Sequence, residues 1–132
     1  MPTDMLSLVE HGWQGARQCS LALEGRQVRV THVIKGWLRA DLRAMIAPHP
    51  HIRLVSAPRW AFYFVVWPLV IAKTLRGRLG WILMDHERSR AELAWWCRLF
   101  GIAPVMIQEQ DGGTYDLAVG GRAVPLEELL QA

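Results

Sequence analysis

The chain has 132 residues and carries 15 Lys and Arg against 12 Asp and Glu. Its hydrophobic content of 52% excludes intrinsic disorder, and its 2 Cys exclude a disulfide-stapled scaffold. This length corresponds to a single domain over residues 1–132. The chain has 7 Trp residues, more than the core of a domain of this size is expected to bury. Some of the aromatic surface is therefore predicted to contact another molecule.

The charge is unevenly distributed along the chain. Residues 17–98 hold 14 Lys and Arg against 5 Asp and Glu, whereas residues 99–132 hold a single Arg against 5 acids. The basic middle indicates either a solvated arginine-rich surface or an affinity for phosphates, anionic lipid or nucleic acid. No nucleic-acid-binding motif accompanies the scattered cations, so nucleic acid is not an expected partner.

The amino terminus and the cysteines predict a compartment. Met1 to Asp4 contain no basic leader before a hydrophobic run, so no signal peptide is expected. Cys19 and Cys97 lie in apolar helical patterns, as buried thiols do. A reduced, cytoplasmic protein is therefore expected, located at the inner face of the membrane if the helix at 59–75 contacts lipid.

Short apolar runs alternate with longer helical patterns in the first half of the chain, which is typical of parallel strands joined by crossover helices. The pattern predicts strands at Met5–Glu10, Gln27–Ile34 and Ile52–Ser56. It predicts helices at Trp13–Glu24 and Trp37–Ile46.

The second half continues the alternation and then changes. A helix over Arg59–Leu75, a strand over Gly80–Asp85 and a strand over Pro104–Glu109 are predicted. The helix between the two strands is expected to open with the capping box Ser89–Glu92 and to end at Gly101. Residues 111–132, with two glycine-rich turns, predict an antiparallel meander and a terminal helical turn.

The predicted fold class is α/β: a three-layer, Rossmann-like sandwich with a mainly parallel five-stranded sheet, formed by βα units over residues 1–110, and a C-terminal meander. Right-handed crossovers allow the strand order 3-2-1-4-5 or the order 2-1-3-4-5. Both orders place Cys19 and Cys97 on opposite faces of the sheet, which excludes a disulfide between them.

Ligands of open α/β sheets bind at the carboxyl ends of strands, where neighbouring connections diverge. In the first order this crevice lies between strands one and four. Its candidate acid/base or metal-binding residues are His11, Asp85, His86 and Glu87. None of these pairs has the helical spacing of a metal site, so no metal is assigned, and an acid at the start of a helix has a simple structural explanation.

Gly12 and Gly15 could let the backbone of the first helix approach a phosphate, with Arg17 nearby. The sequence lacks the full dinucleotide-binding pattern, so no cofactor is assigned. His32 is expected to be a hydrogen-bonded, half-buried strand residue.

Residues 60–72 form an uncharged aromatic stretch with basic flanks at Arg59, Lys73, Arg76 and Arg78. A helix of this length spans about 20 Å, which is too short to cross a bilayer of about 30 Å. Three interpretations remain open: burial, a homo-oligomer or protein interface through Trp60, Phe64 and Trp67, or peripheral contact of Lys73, Arg76 and Arg78 with a membrane.

The opening unit resembles the amino-terminal half of two-domain, GT-B type glycosyltransferases. The resemblance covers about 30 residues and is carried by Leu6–Gly12, Ala16, the helix end Leu21–Gly25 and the strand Val28–Thr31. It implies either an acceptor-side half that acts with a partner or a relic without catalysis. It also implies a basic-flanked apolar helix that touches membrane. The chain is not expected to contain the second domain, which holds the sugar nucleotide in that family.

The sequence therefore predicts a non-catalytic or partner-dependent module. Its crevice is expected to bind a small anionic or nucleotide-like ligand, and its 59–75 helix a partner or a membrane surface. The alternative is an enzyme, either half of a glycosyltransferase or a small acid/base catalyst that uses His11, His86 and Glu87.

Overall fold

A computed structural model describes residues 3–8, 13–23, 25–35, 51–77, 79–109 and 115–131. The strands are β1 (Thr3–Ser7), β2 (Val28–Lys35), β3 (Ile52–Ala57), β4 (Leu79–Met84), β5 (Ala103–Glu109), β6 (Tyr115–Val119) and β7 (Arg122–Ala123). The helices are α1 (Trp13–Ala22), α2 (Phe62–Leu75), α3 (Glu87–Phe100) and α4 (Leu126–Gln131), and a 3-10 turn at Arg59–Ala61 precedes α2.

The fold is α/β, with one mixed sheet of the order β3-β2-β1-β4-β5-β6-β7 in the described part of the chain. The first five strands are parallel and have the first of the two predicted orders. The sheet has seven strands rather than five, because β6 pairs antiparallel with β5 from Glu109↔Tyr115 to Val105↔Val119. The predicted meander is therefore a continuation of the main sheet.

Several element boundaries differ from the predicted ones. Strand β1 begins at Thr3, which pairs with Val28 of β2, and ends at Ser7, which pairs with His32. The predicted strand, Met5–Glu10, was therefore displaced toward the carboxyl terminus. The predicted helix at 37–46 lies outside the described residues. The predicted end of α3 is confirmed, because Gly101 adopts the left-handed conformation (φ 68°) and its N–H donates to the Cys97 carbonyl.

Two apolar cores lie on opposite faces of the sheet, because successive residues of a strand point to opposite sides. Met5 packs in the core that includes Cys19 and Leu23 of α1. Leu6, the next residue, packs in the core that includes Val66 of α2 and Cys97 of α3. The sheet thus separates Cys19 from Cys97, as predicted.

Helix α2 packs on the sheet through three fully buried residues at helical spacing, Phe62, Val66 and Val70. Pro68 lies inside α2 and on its exposed side. There the helix can leave the Phe64 carbonyl to water, which reduces the cost of the missing proline N–H. No helix within the described residues has both the length and the apolar character needed to cross a membrane.

Candidate functional site

The strand order has the predicted switch point between β1 and β4. The two strands are neighbours, and the helices that follow them, α1 and α3, pack on opposite faces. His11 and Gly12 lie outside the described residues. Gly15 and Arg17 lie in the first turns of α1, and the position of the Arg17 side chain is not described. The predicted approach of His11 to residues 85–88 therefore stays a prediction.

The residues after β4 have structural partners of their own. His86 is the N-cap of α3, and its Nδ1 accepts a hydrogen bond of 3.2 Å from the Arg88 backbone N–H. Glu87 forms an ion pair with Arg90 one turn along the helix, and this guanidinium lowers the pKa of the Glu87 carboxyl. Asp85 is half-buried just before the cap. These contacts fix the start of a helix, and no group of His, Cys, Asp and Glu in the described stretches could hold a metal ion.

The start of α3 corrects the predicted capping box. Ser89 was expected to cap the helix, but it lies inside the first turn and is buried. Its Oγ is 3.3 Å from the hydroxyl of Tyr63, so it joins α3 to α2 instead of capping α3. The polar residue that precedes the helix, His86, takes the capping position because the chain leaves β4 in extended conformation at this residue (φ −129°, ψ 131°).

A buried histidine lies beneath α1. His32 is fully buried on β2, and its Nε2 is 2.9 Å from the Oγ of Ser20 on α1. Desolvation lowers the pKa of His32 to about 4, so the imidazole is neutral near pH 7. Its burial is more complete than the sequence suggested, and it gives the ring a packing role rather than access to a ligand.

The exposed side of α2 carries the largest unpartnered apolar feature of the described structure. Phe64, Pro68, Ile71 and Leu75 are exposed at the spacing of one helical stripe, opposite the buried stripe that starts at Phe62. Phe64 is 79% exposed and Leu75 77% exposed, and Trp60 in the preceding turn is 82% exposed. The helix is thus apolar on both sides, and only one side is covered by the sheet.

Helix α3 extends this surface. Trp95 and Leu99 are one helical turn apart, with exposures of 53% and 67%. The ring of Trp67 on α2 lies 5.6 Å from the ring of Trp95, measured between centroids, so the two helices are in contact here. We call the exposed apolar surface of the two helices and the turn before them the apolar face; its members are Trp60, Phe64, Pro68, Ile71, Leu75, Trp95 and Leu99.

Hydrogen bonds and ring contacts hold α2 and α3 together beneath the apolar face. The Trp96 indole N–H donates to the Oγ1 of Thr74 over 3.0 Å, and this hydroxyl donates to the Val70 carbonyl over 2.6 Å. The Trp96 ring also packs edge-on against that of Trp67. The apolar face is therefore mounted on a fixed pair of helices and not on a loop.

Arginines surround the apolar face at both ends. The segments 59–76 and 87–100 together hold six Lys and Arg against two Glu. Arg59 and Arg76 flank α2, Arg98 lies near the end of α3, and all three are exposed without an ion-pair partner among the described residues. We call these three residues and Arg88, whose guanidinium lies 5.8 Å from the Tyr63 ring centroid, the arginine rim.

Two of the predicted lipid contacts are not part of this rim. Lys73 turns toward the sheet, where its Nζ lies 3.4 Å from the Oδ2 of Asp4, and both side chains are largely buried. Arg78 lies outside the described residues. Sequence reasoning missed Ile71, Leu75 and Leu99, although their helical spacing relative to Phe64 and Trp95 was visible in the sequence.

A groove of about 330 Å³ lies between the two helices. Its walls are Tyr63, Phe64, Trp67, Pro68 and Ile71 from α2 and Glu92 from α3. Glu92 is its one charged side chain, and this carboxylate has no ion-pair partner in the described part of the chain.

Comparison with known proteins adds no relative. The chain matches no family model, and searches of curated proteins and of solved structures found none similar to it.

Proposed function

We propose that this chain is a Rossmann-like α/β module that docks on an anionic lipid surface through the apolar face and the arginine rim. The observation that carries the proposal is the exposure of a complete apolar stripe on α2, which joins apolar side chains of α3 and has arginines at both ends. The order of the five parallel strands, with helices on both faces, supports the Rossmann-like class.

The stripe has the dimensions of an interfacial helix. Helix α2 has 14 residues, which corresponds to a length of about 21 Å, so it would lie in the plane of the membrane with Phe64 and Leu75 toward the acyl chains. Indoles such as those of Trp60 and Trp95 favour the headgroup region, where the ring is in an apolar environment and the N–H in a polar one.

The charge of the rim favours a lipid surface over a second copy of the chain. A two-fold dimer through the apolar face would bring two sets of rim arginines to the same interface. Glu87 is paired with Arg90, so Glu92 is the one acid of the two helices without an ion-pair partner in the described structure, and it could offset only part of this repulsion. Anionic headgroups, in contrast, attract each arginine by about 1 kcal/mol.

The crevice at the carboxyl ends of β1 and β4 remains the proposed place for a small anionic ligand. It lies at the end of the sheet where α2 and α3 begin, since both helices follow strands that end there. A membrane-docked module would thus hold this crevice beside the headgroups. The partner-dependent transferase half stays a prediction of the resemblance alone.

Vesicle co-sedimentation tests the docking proposal. The protein is expected to sediment with vesicles that contain about 30% phosphatidylglycerol in phosphatidylcholine, to bind pure phosphatidylcholine more weakly, and to be released by salt because the headgroup attraction is screened. Neutralising two rim residues, R59Q/R76Q, is expected to weaken binding by about 25-fold, at roughly 1 kcal/mol for each arginine.

Arg122 provides a control outside the rim, since it is an exposed arginine of β7 that pairs with Glu128. The R122Q variant should bind like the wild type. A protein that light scattering shows to be a dimer and that stays in the supernatant with anionic vesicles would overturn the proposal in favour of self-association.

A further inference from the structure

The groove between α2 and α3 combines two features that suit an organic cation. The side chains of Tyr63, Phe64 and Trp67 bring aromatic rings to its wall, and Glu92 brings a carboxylate. Aromatic rings attract cations through the negative potential of their faces, most strongly where water is displaced. The arginine rim shows this attraction within the chain itself, because the Arg88 guanidinium lies over the Tyr63 ring.

The negative charge of Glu92 is unfavourable on a surface that docks on anionic lipid. Its carboxylate would enter a region of negative potential, among apolar side chains, with no ion-pair partner in the described structure. Burial of an unpaired charge is unfavourable, so a cation beside Glu92 would stabilise the docked state. The headgroups of phosphatidylcholine and phosphatidylethanolamine contain such a cation, an ammonium group beyond the phosphate.

We infer that the groove binds the alkylammonium group of a phospholipid headgroup, with Glu92 as counter-ion and Tyr63, Phe64 and Trp67 as its aromatic wall. This inference rests on the proposed docking and adds the headgroup chemistry that the site accepts. Arg88 precedes Glu92 by one helical turn, so a zwitterionic headgroup finds a guanidinium for its phosphate and a carboxylate for its ammonium on the same side of α3.

A quaternary ammonium fits the groove better than a primary one. A primary ammonium is strongly hydrated and would have to exchange that water for the carboxylate of Glu92 and the hydroxyl of Tyr63, which is shared with Ser89. A trimethylammonium group donates no hydrogen bonds and presents methyl groups to the apolar walls. Choline is therefore expected to bind more tightly than ethanolamine.

The experiment uses soluble probes, so that it does not depend on vesicles. Choline, ethanolamine and the uncharged choline analogue 3,3-dimethylbutan-1-ol are titrated into the full chain at constant ionic strength, and the indole N–H signals are followed by NMR. Choline should bind saturably in the millimolar range, at least fivefold more tightly than the uncharged analogue. E92Q should weaken choline binding at least fivefold, and E128Q, which removes an exposed carboxylate of α4, should leave it unchanged.

Equal affinity for choline and the uncharged analogue, or an E92Q variant that binds choline like the wild type, would overturn the inference. Its failure can be told apart from failure of docking: vesicle binding without a choline site removes the groove and leaves the apolar face. Choline binding without vesicle binding removes docking and leaves an organic-cation site.

Discussion

His32 and Ser20 form a hydrogen-bonded pair in which both side chains are fully buried, with 2.9 Å between Nε2 and Oγ. The pair joins β2 to α1. A second histidine, His51, lies next to it and donates from its Nε2 to the backbone carbonyl of Ser20 over 3.0 Å. The His32 ring has no charged partner in the described structure, so protonation would place an uncompensated cation in the core.

The stability of the fold is therefore expected to fall at mildly acidic pH. The pKa of His32 is lowered to about 4 in the folded state, against an ordinary value of 6.5. The unfolded chain binds a proton between these values and the folded chain does not, so unfolding becomes more favourable as pH falls from 6.5 to 4. The contribution lost over this window is about 3 kcal/mol.

Thermal melts across this pH window measure the effect against the double variant S20A/H32L. This variant removes both hydrogen-bonding groups of the pair together. Its melting temperature should fall less steeply between pH 6.5 and 4 than that of the wild type. Identical pH profiles would show that His32 does not control acid stability.

The two thiols are expected to be unreactive in the folded protein. Cys19 and Cys97 are buried, and desolvation raises the pKa of each to about 11, so little thiolate forms at neutral pH. A chromogenic thiol reagent should label neither residue rapidly in buffer and both in denaturant. Rapid labelling without denaturant would contradict the two-sided core.

The hydrogen bond between Trp96 and Thr74 should contribute to the stability of the helix pair. T74V preserves the shape of the side chain but leaves the half-buried indole N–H without its acceptor, which is expected to cost about 1–2 kcal/mol in free energy of unfolding. T74S retains the acceptor oxygen and serves as the control. The prediction fails if chemical denaturation gives T74V and T74S the same stability.

The sequence was sufficient to predict the order of the parallel strands to within two alternatives. Its apolar runs and the handedness of crossovers restrict the topology, and only pairing between strands decides whether β1 lies beside β4. The pairing of β6 with β5 could not be predicted from the sequence for a related reason. A turn signal predicts an antiparallel hairpin, but it does not say that the hairpin edge is the edge of the main sheet.

The apolar face could not be located from the sequence because α2 is apolar on all sides. Hydrophobic periodicity identifies a buried side only by contrast with a polar one. Phe62 and Phe64 are the same type of residue, and they differ only in that Phe62 faces the sheet and Phe64 faces solvent. The start of α3 was missed because Ser89 and His86 are both capable of capping, and the backbone conformation at the end of β4 decided between them.

Partition onto anionic vesicles, compared between the wild type and F64S/L75S, tests the central claim most directly. Both side chains are exposed in the free protein, so their replacement should leave the fold intact, which circular dichroism checks. Full burial of one such side chain contributes about 1.5–3 kcal/mol, and the account predicts that the double variant binds at least tenfold more weakly than the wild type. Equal partition of the two proteins, or a wild type that does not bind anionic vesicles, would contradict the proposed docking.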